Sequence, residues 1–262
     1  MQAPRSLWDP DYVEDSWIGQ WFSKYLPLLP HVIDSIETYY PGTKLAFTEF
    51  TYGAPDHFSG GVAMSDALGI FGKYGLYMSS YWGSDGNYLS AAYKMYRNYD
   101  GDNSTFGDTK VYSSMSDKVN SSVYASVFDG NDAELHIIAI NKSFDSAVSG
   151  TFNITSEQAF TIGRVWNFND SSSQIMEIDP VTNIVDNSFY YEIPPLTVCH
   201  FVVRAECSEV DLSGDCELDY RDLEILAGQW LTAGDCPGAG CADFVDDDYI
   251  DFLDFANFGA HW

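Results

Sequence analysis

The stretch Leu45-Ala46-Phe47-Thr48-Glu49-Phe50 constrains this chain most: a short apolar run, closing on a carboxylate, set between two segments of helical periodicity. Before it, residues 27–40 carry Leu28, Leu29, Val32, Ile33 and Ile36 at helical spacing, and Tyr40-Pro41-Gly42-Thr43 supplies a turn. After it, Ser59 is placed to cap a helix reaching about Lys73, with Val62, Leu68, Ile70 and Phe71 as its buried face. A second strand over residues 76–82 and a helix over residues 89–99 follow. Alternating helix and strand with short connections predicts an α/β architecture with a parallel pair. The Leu-Ala-Phe run itself reads as a strand covered on both faces. Two strands do not complete such a sheet, because open edges invite mispairing. The expectation is therefore that the rest of the sheet is missing or comes from another chain, and that Met1 is an internal start within a longer ancestor. A Glu at the C-terminal end of a parallel strand has two readings. In a (β/α)₈ barrel that end is the catalytic face; otherwise the carboxylate faces solvent or pairs with an Arg.

Residues 103–205 change character. Short strands separated by turn signals recur at residues 122–128, 134–141, 147–154, 160–168, 174–178 and 189–203, the last broken at Pro194-Pro195. Ser122-Val123-Tyr124-Ala125-Ser126-Val127 alternates cleanly, and Asp129-Gly130-Asn131-Asp132 is a hairpin turn. These features predict an antiparallel β-sandwich that packs against the α/β part. Cys199, in the final strand, reads as a buried thiol.

The tail, residues 206–262, is strongly acidic, with Arg221 its only Lys or Arg. Such a segment stays unfolded unless cations neutralise it. Two similar units run through it. In the first, Asp211, Ser213, Asp215, Asp219 and Asp222 place oxygen groups at loop positions 1, 3, 5, 9 and 12, with the Glu217 carbonyl at position 7. The second repeats the spacing with Asp243, Asp247, Tyr249, Asp251 and Asp254. Oxygen ligands at that spacing wrap a Ca²⁺ ion. Position 6, normally Gly, is Cys216 and Asp248, and Val245 cannot serve at position 3. The alternative is an acidic, solvated tail.

A net charge of −27 argues against nucleic acid or an anionic membrane as partner. No apolar run is long enough to span a bilayer, and Met1-Gln2-Ala3-Pro4-Arg5 has no apolar segment behind it to make a signal peptide. The 16% aromatic content suits pockets that stack sugar rings as well as cores. Five cysteines, four of them after Glu206, suggest disulfides and an oxidising compartment, hence a secreted or cell-surface protein.

The duplicated loop and helix over residues 210–262 resemble the type I dockerin module, a calcium-dependent plug that binds cohesins on polysaccharide-degrading assemblies. That resemblance implies a small α-helical EF-hand pair with a cohesin partner. Cys236 and Cys241 are close enough in sequence for a disulfide, and Cys207 and Cys216 for another. Upstream, Ser6-Leu7-Trp8-Asp9-Pro10, Tyr39-Tyr40-Pro41-Gly42-Thr43-Lys44-Leu45, Thr48-Glu49-Phe50, Ser59-Gly60-Gly61 and Leu68-Gly69-Ile70-Phe71-Gly72 resemble the C-terminal end of a glycoside hydrolase family 44 catalytic module. The resemblance runs to about residue 204. It implies a partial TIM-like barrel over residues 1–102, a β-sandwich over 103–205 and a dockerin-like module over 206–262. The implied activity is retaining endo-hydrolysis of β-1,4-linked polysaccharide, with Glu49 as nucleophile and Trp17, Trp21, Tyr52 and Trp82 against the sugar. The alternative for the two tryptophans at 17 and 21 is core packing on a helix face, and for Trp82 it is filling of the barrel. The family's acid/base Glu lies upstream of anything present here; Asp56, Asp66 and Asp85 do not match it. The competing class is a non-catalytic carbohydrate-binding or assembly fragment whose working site is the calcium-dependent tail.

Overall fold

The computed structural model describes residues 1–204, 208–213, 218–232 and 240–262. The chain divides into two compact units, Met1–Arg204 and Ala205–Trp262.

In the first unit, α1 (Trp17–Phe22) starts at Ser16, whose hydroxyl accepts from the Ile18 amide. It is followed by α2 (Leu28–Tyr39), β1 (Ala46–Phe50), α3 (Phe58–Tyr74), β2 (Met78–Tyr81) and α4 (Asn87–Arg97). β1 and β2 pair in parallel. The periodic segments thus fold as expected, with boundaries moved by a residue or two. The helix α1 is too short to show a period; in the sequence it is implied only by the helix-face alternative for Trp17 and Trp21. His57, rather than Ser59, is the N-cap of α3, its ring accepting from the Ser59 amide.

α3 is the centre of this unit. It is buried almost all round, from Gly60 to Ala67 and again from Gly69 to Phe71, which is broader than the one-sided face its periodicity suggests. Small residues make that possible. At Gly69 a Cβ would lie 2.2 Å from the Tyr124 ring, so the helix approaches its neighbour more closely than any other residue would allow. The helix stops at Gly75 (φ 69°), where the Leu76 amide reaches back to the Phe71 carbonyl in a Schellman-type end. One side of α3 covers β1: Phe47 and Phe50 both meet the Phe71 ring edge-on, at 5.3 and 5.0 Å between centroids. The other face of the pair is open. Thr48, Glu49 and Met78 are exposed, so the expectation of a strand covered on both faces is corrected: α3 lies on one face only.

The β-rich part forms β3 (Thr109–Val111), β4 (Ser121–Phe128), β5 (Asn131–Asn141), β6 (Val148–Asn153), β7 (Ile162–Asn169), β8 (Ser172–Val181), β9 (Ser188–Ile193) and β10 (Thr197–Arg204). Six of these form one antiparallel sheet in the order β3-β4-β5-β10-β7-β8, while β6 and β9 make a separate antiparallel pair. The break at Pro194-Pro195 divides β9 from β10 and sends the chain from one sheet to the other. β10 is buried along its length up to Arg204 and uses both faces. Cys199, Phe201 and Val203 join the apolar cluster shared with β6 and β9, where Phe152 stacks on Phe189 at 4.8 Å. Val198 and Val202 join the cluster formed by α3 and α4. Cys199 is a free, fully buried thiol whose pKa burial pushes up to about 12. The helices and the six-stranded sheet therefore share one core across residue 102.

Polar side chains fasten that core. The Tyr124 hydroxyl donates to Asp66 at 2.5 Å, and the enclosed Lys142 ammonium lies 2.9 Å from Ser122 Oγ and 3.4 Å from Asp66. Asp9 is gripped by Arg5 and Lys118 at 2.6 and 2.7 Å. Burial pulls the Asp9 carboxyl upward, but the hydrogen bonds from Lys118 and Arg5 outweigh it and hold it below its ordinary value.

The second unit contains α5 (Tyr220–Gln229) and α6 (Phe252–His261) around Val210, Leu212, Leu226, Ala242, Ile250 and Phe258. Tyr220 meets Trp262 at 5.5 Å and Phe252 meets Trp230 at 5.1 Å, so the start of each helix packs against the end of the other. Among the described residues no helix is long and apolar enough to cross a membrane.

Candidate active site

Glu49 owes its orientation to an irregularity in β1. Phe47 pairs with Ser79 and Phe50 with Tyr81, so three steps along β1 match two along β2. In a regular strand, residues three apart point to opposite faces. The bulge instead turns both Phe47 and Phe50 toward α3, and it leaves Thr48 and Glu49 on the open face. Bulges often re-aim side chains in this way beside active sites.

Trp82 follows directly from β2. Its amide donates to the Phe50 carbonyl at 2.9 Å, which places the end of β2 against the end of β1, and its ring is 69% exposed. Glu49 and Trp82 thus lie at the same, C-terminal end of the parallel pair. Tyr52 lies just beyond Glu49 but is half-buried, packed against the apolar clusters that include Val62, Ile70 and Met64. Burial, with smaller contributions from Asp66 and Glu14, raises its hydroxyl pKa well above the ordinary value. Trp17 and Trp21 sit on α1, one turn apart and 64% and 76% exposed; an exposed helix face, not core packing, is where the structure puts them. Trp17 meets Phe22 edge-on at 5.8 Å.

The other carboxylates near β1 have distinct surroundings. Asp66 is enclosed with Lys142 and Tyr124, Asp85 is exposed, and Asp56 accepts from the Asn87 amide at 3.0 Å. Sequence reasoning gave Asp56 no role; the available signal was Gly86, a residue without a capping side chain placed directly before a helix.

In the second unit the repeat is visible as geometry. Asp219 and Asp251 cap α5 and α6, each within a reciprocal capping box completed by Asp222 and Asp254. Asp222 accepts from the Asp219 and Ser213 amides, both at 2.8 Å. Asp254 accepts from Asp251, Phe244 and Val245 at 2.9, 2.7 and 3.1 Å. Burial raises the Asp222 pKa, but the Asp219 and Ser213 amides outweigh it and bring it below the ordinary value. Asp211 accepts from the Ser213 hydroxyl at 3.1 Å, Asp243 accepts from the Asp247 and Asp248 amides, and Asp247 accepts from the Tyr249 amide. Asp215 and Glu217 lie outside the described residues. Among the described residues no three His, Cys, Asp or Glu side chains converge as a metal cage. Cys241 is disulfide-bonded; Cys207, Cys216 and Cys236 lie outside the described residues.

An exposed carboxylate at the end of one strand, with an exposed indole directly after its paired strand, is suited to sugar chemistry, and comparison with known proteins points to one class. No protein-family model matches the chain. Over 224 residues, 85% of its length, it is 54% identical to Endoglucanase A of Paenibacillus lautus, of which it covers 32%. A Paenibacillus polymyxa xyloglucanase from glycoside hydrolase family 44 superposes with a TM-score of 0.76 and 55% identity, over 78% of this chain and 41% of that one. A family 44 endoglucanase from Clostridium thermocellum gives a TM-score of 0.75 and 52% identity, over 78% and 40%. Both of these solved structures are family 44 glycoside hydrolases, and the chain spans about a third of the length of the Paenibacillus lautus relative.

Proposed function

We propose that the first unit belongs to a retaining endo-hydrolase of β-1,4-linked glucan, with Glu49 as the nucleophile. The observation that carries this reading is the β1 bulge, which leaves Glu49 on the open face at the strand end where the Trp82 amide meets the Phe50 carbonyl; similarity to family 44 endoglucanases supports it. In the first step a Glu49 carboxylate oxygen bonds to the anomeric carbon as the glycosidic C–O bond breaks. The bonding pair leaves with the departing oxygen, and water later releases the sugar from Glu49. Trp82, and Trp17 and Trp21 on α1, offer flat apolar faces for glucose units. A natural leaving group needs a second carboxyl group, about 5–5.5 Å from the nucleophile, to protonate it. An aryl cellobioside with an acidic phenol leaves without that proton, so it isolates the nucleophile. We expect this chain to release the phenol and, with the 2-fluoro analogue, to gain the mass of one glycosyl group on Glu49. Glu49→Gln should show neither, and equal rates in both would remove the assignment.

The second unit supports a further reading as a calcium-dependent, dockerin-like module of a secreted enzyme with a cohesin as partner. The repeated capping geometry at Asp219–Asp222 and Asp251–Asp254 favours it. The described carboxylates do not form a cage as they stand, so Asp215 and Glu217 would have to contribute. Titration calorimetry with CaCl₂, against an EDTA-treated control, should show heat and a raised melting temperature; no heat and no shift would exclude calcium.

A further inference from the structure

Each strand end at the candidate site continues into a loop, and the two loops are tied together by an unusual helix cap. The loop after β1 begins with Thr51, whose hydroxyl accepts from the Gly53 amide at 3.1 Å. It then places Gly53 and Ala54 in the left-handed region, at φ 68° and 49°. Ala is strained there, and a Cβ on Gly60 would lie 2.1 Å from the Ala54 carbonyl oxygen, so glycine at that position lets α3 pack directly against the loop.

The loop after β2 leads into α4, whose N-cap is Gly86. Gly86 has no side chain with which to cap, and none would fit: a Cβ there would lie 2.4 Å from the Pro55 carbonyl carbon. The close approach lets Pro55 accept from the Leu89 amide at 2.9 Å. The missing cap comes from the other loop, where Asp56 Oδ1 accepts from the Asn87 amide at 3.0 Å. A carboxylate at a helix N-terminus satisfies an otherwise unpaired donor and suits the helix dipole.

We propose that Asp56 is a positioning residue. From the loop behind Glu49 it caps the helix behind Trp82, and so fixes the nucleophile and the sugar platform relative to each other. The inference rests on the glycosidase reading of Glu49. Together with the Phe50–Trp82 hydrogen bond, the clasp closes a ring: β1, its loop, α4, and the loop back to β2.

The test uses the full chain as wild type, Asp56→Ala and Asp56→Asn, below the melting point of the least stable of the three. Aryl cellobioside hydrolysis is measured with amide hydrogen exchange at Asn87 and Leu89. Misplacing a reacting group by about 1 Å costs on the order of 10²-fold in rate. We therefore expect Asp56→Ala to lower kcat by at least about tenfold with little change in KM, and to exchange both amides faster. Asp56→Asn keeps an acceptor oxygen and should stay near wild type in both. Equal kcat in wild type and Asp56→Ala would overturn the proposal, as would a loss that Asp56→Asn does not restore. Should the wild type be inert toward the aryl glycoside, the glycosidase reading fails on its own. The exchange data then decide the clasp: unchanged protection at Asn87 and Leu89 in Asp56→Ala would overturn it.

Discussion

Lys142 and Asp66 show how much a single side chain can carry in this fold. Both are enclosed, 3.4 Å apart, and the pair is completed by Tyr124 and Ser122. Removing one partner of a buried pair leaves the other uncompensated, at a cost of about 3–5 kcal/mol. Lys142→Met should lower the unfolding free energy by that order in urea titration, whereas Lys142→Met with Asp66→Leu should recover most of the loss. If the single variant loses no more than a surface substitution does, the pair has no structural role. Asp66 was weighed in the sequence only as a carboxylate that does not match the acid/base, and Lys142 did not stand out, because a Lys just past a strand reads as a solvated charge until a helix is found above it. Glu49 is the reverse case. Its place at a strand end was legible, but its direction depends on a bulge that no residue pattern announced.

Among the elements, α3 is the one whose neighbours decide its tolerance. Gly69→Ala would improve helix propensity by about 1 kcal/mol, yet its Cβ would overlap the Tyr124 ring. Overpacking of this kind costs about 1–3 kcal/mol, so the net effect should be destabilising. Gly228 in α5 provides the contrast, since among the described residues a Cβ there meets nothing within 4 Å. Gly228→Ala should be neutral or stabilising by up to about 1 kcal/mol. Thermal unfolding should show Gly69→Ala lowered and Gly228→Ala unchanged or raised, and a stabilising Gly69→Ala would contradict the packing described. Helices α2, α3 and α4 and the strands of the sandwich were readable because each repeats an apolar period over two or more turns or pleats. The short β3 was not, and α1 was implied only by the helix-face alternative for Trp17 and Trp21, since three and six residues hold too little pattern. The exposed face of β1 was misread for a different reason: an apolar run records what one face packs against and says nothing of the other.

Across the first unit, pH acts where α4 meets the six-stranded sheet. His200 donates from Nδ1 to the Met95 carbonyl at 2.9 Å, its Nε2 lies 3.0 Å from His136 Nδ1, and the His136 Nε2 is 3.0 Å from Glu134. Tyr99 packs over the His200 ring at 4.0 Å. Burial, and then the neighbouring His136, lower the His200 pKa well below 6.5. Glu134 is held below 4.5, chiefly by its contact with His136. Both groups take up protons more readily when unfolded, so both contribute stability at higher pH and lose it on acidification. The His200 contribution is complete above its unfolded value of about 6.5 and declines below it; that of Glu134 follows below its ordinary value of 4.5. The unfolding free energy should therefore fall between pH 7 and 5. His200→Gln should flatten that slope, and an unchanged slope would place the proton uptake elsewhere.

The sequence by itself determined the succession of elements, the division between the β-rich part and the acidic tail, and the position of Glu49 at the end of a strand. Those properties are local: period, turn residues and the spacing of repeated Asp side chains. Only the tertiary structure decided which way Glu49 points, which face of β1 is covered, and that Asp56 caps a helix 31 residues further along. Each of these depends on two segments distant in sequence meeting at a particular register. A residue pattern specifies how one segment folds, and only the packing of both fixes where their side chains converge.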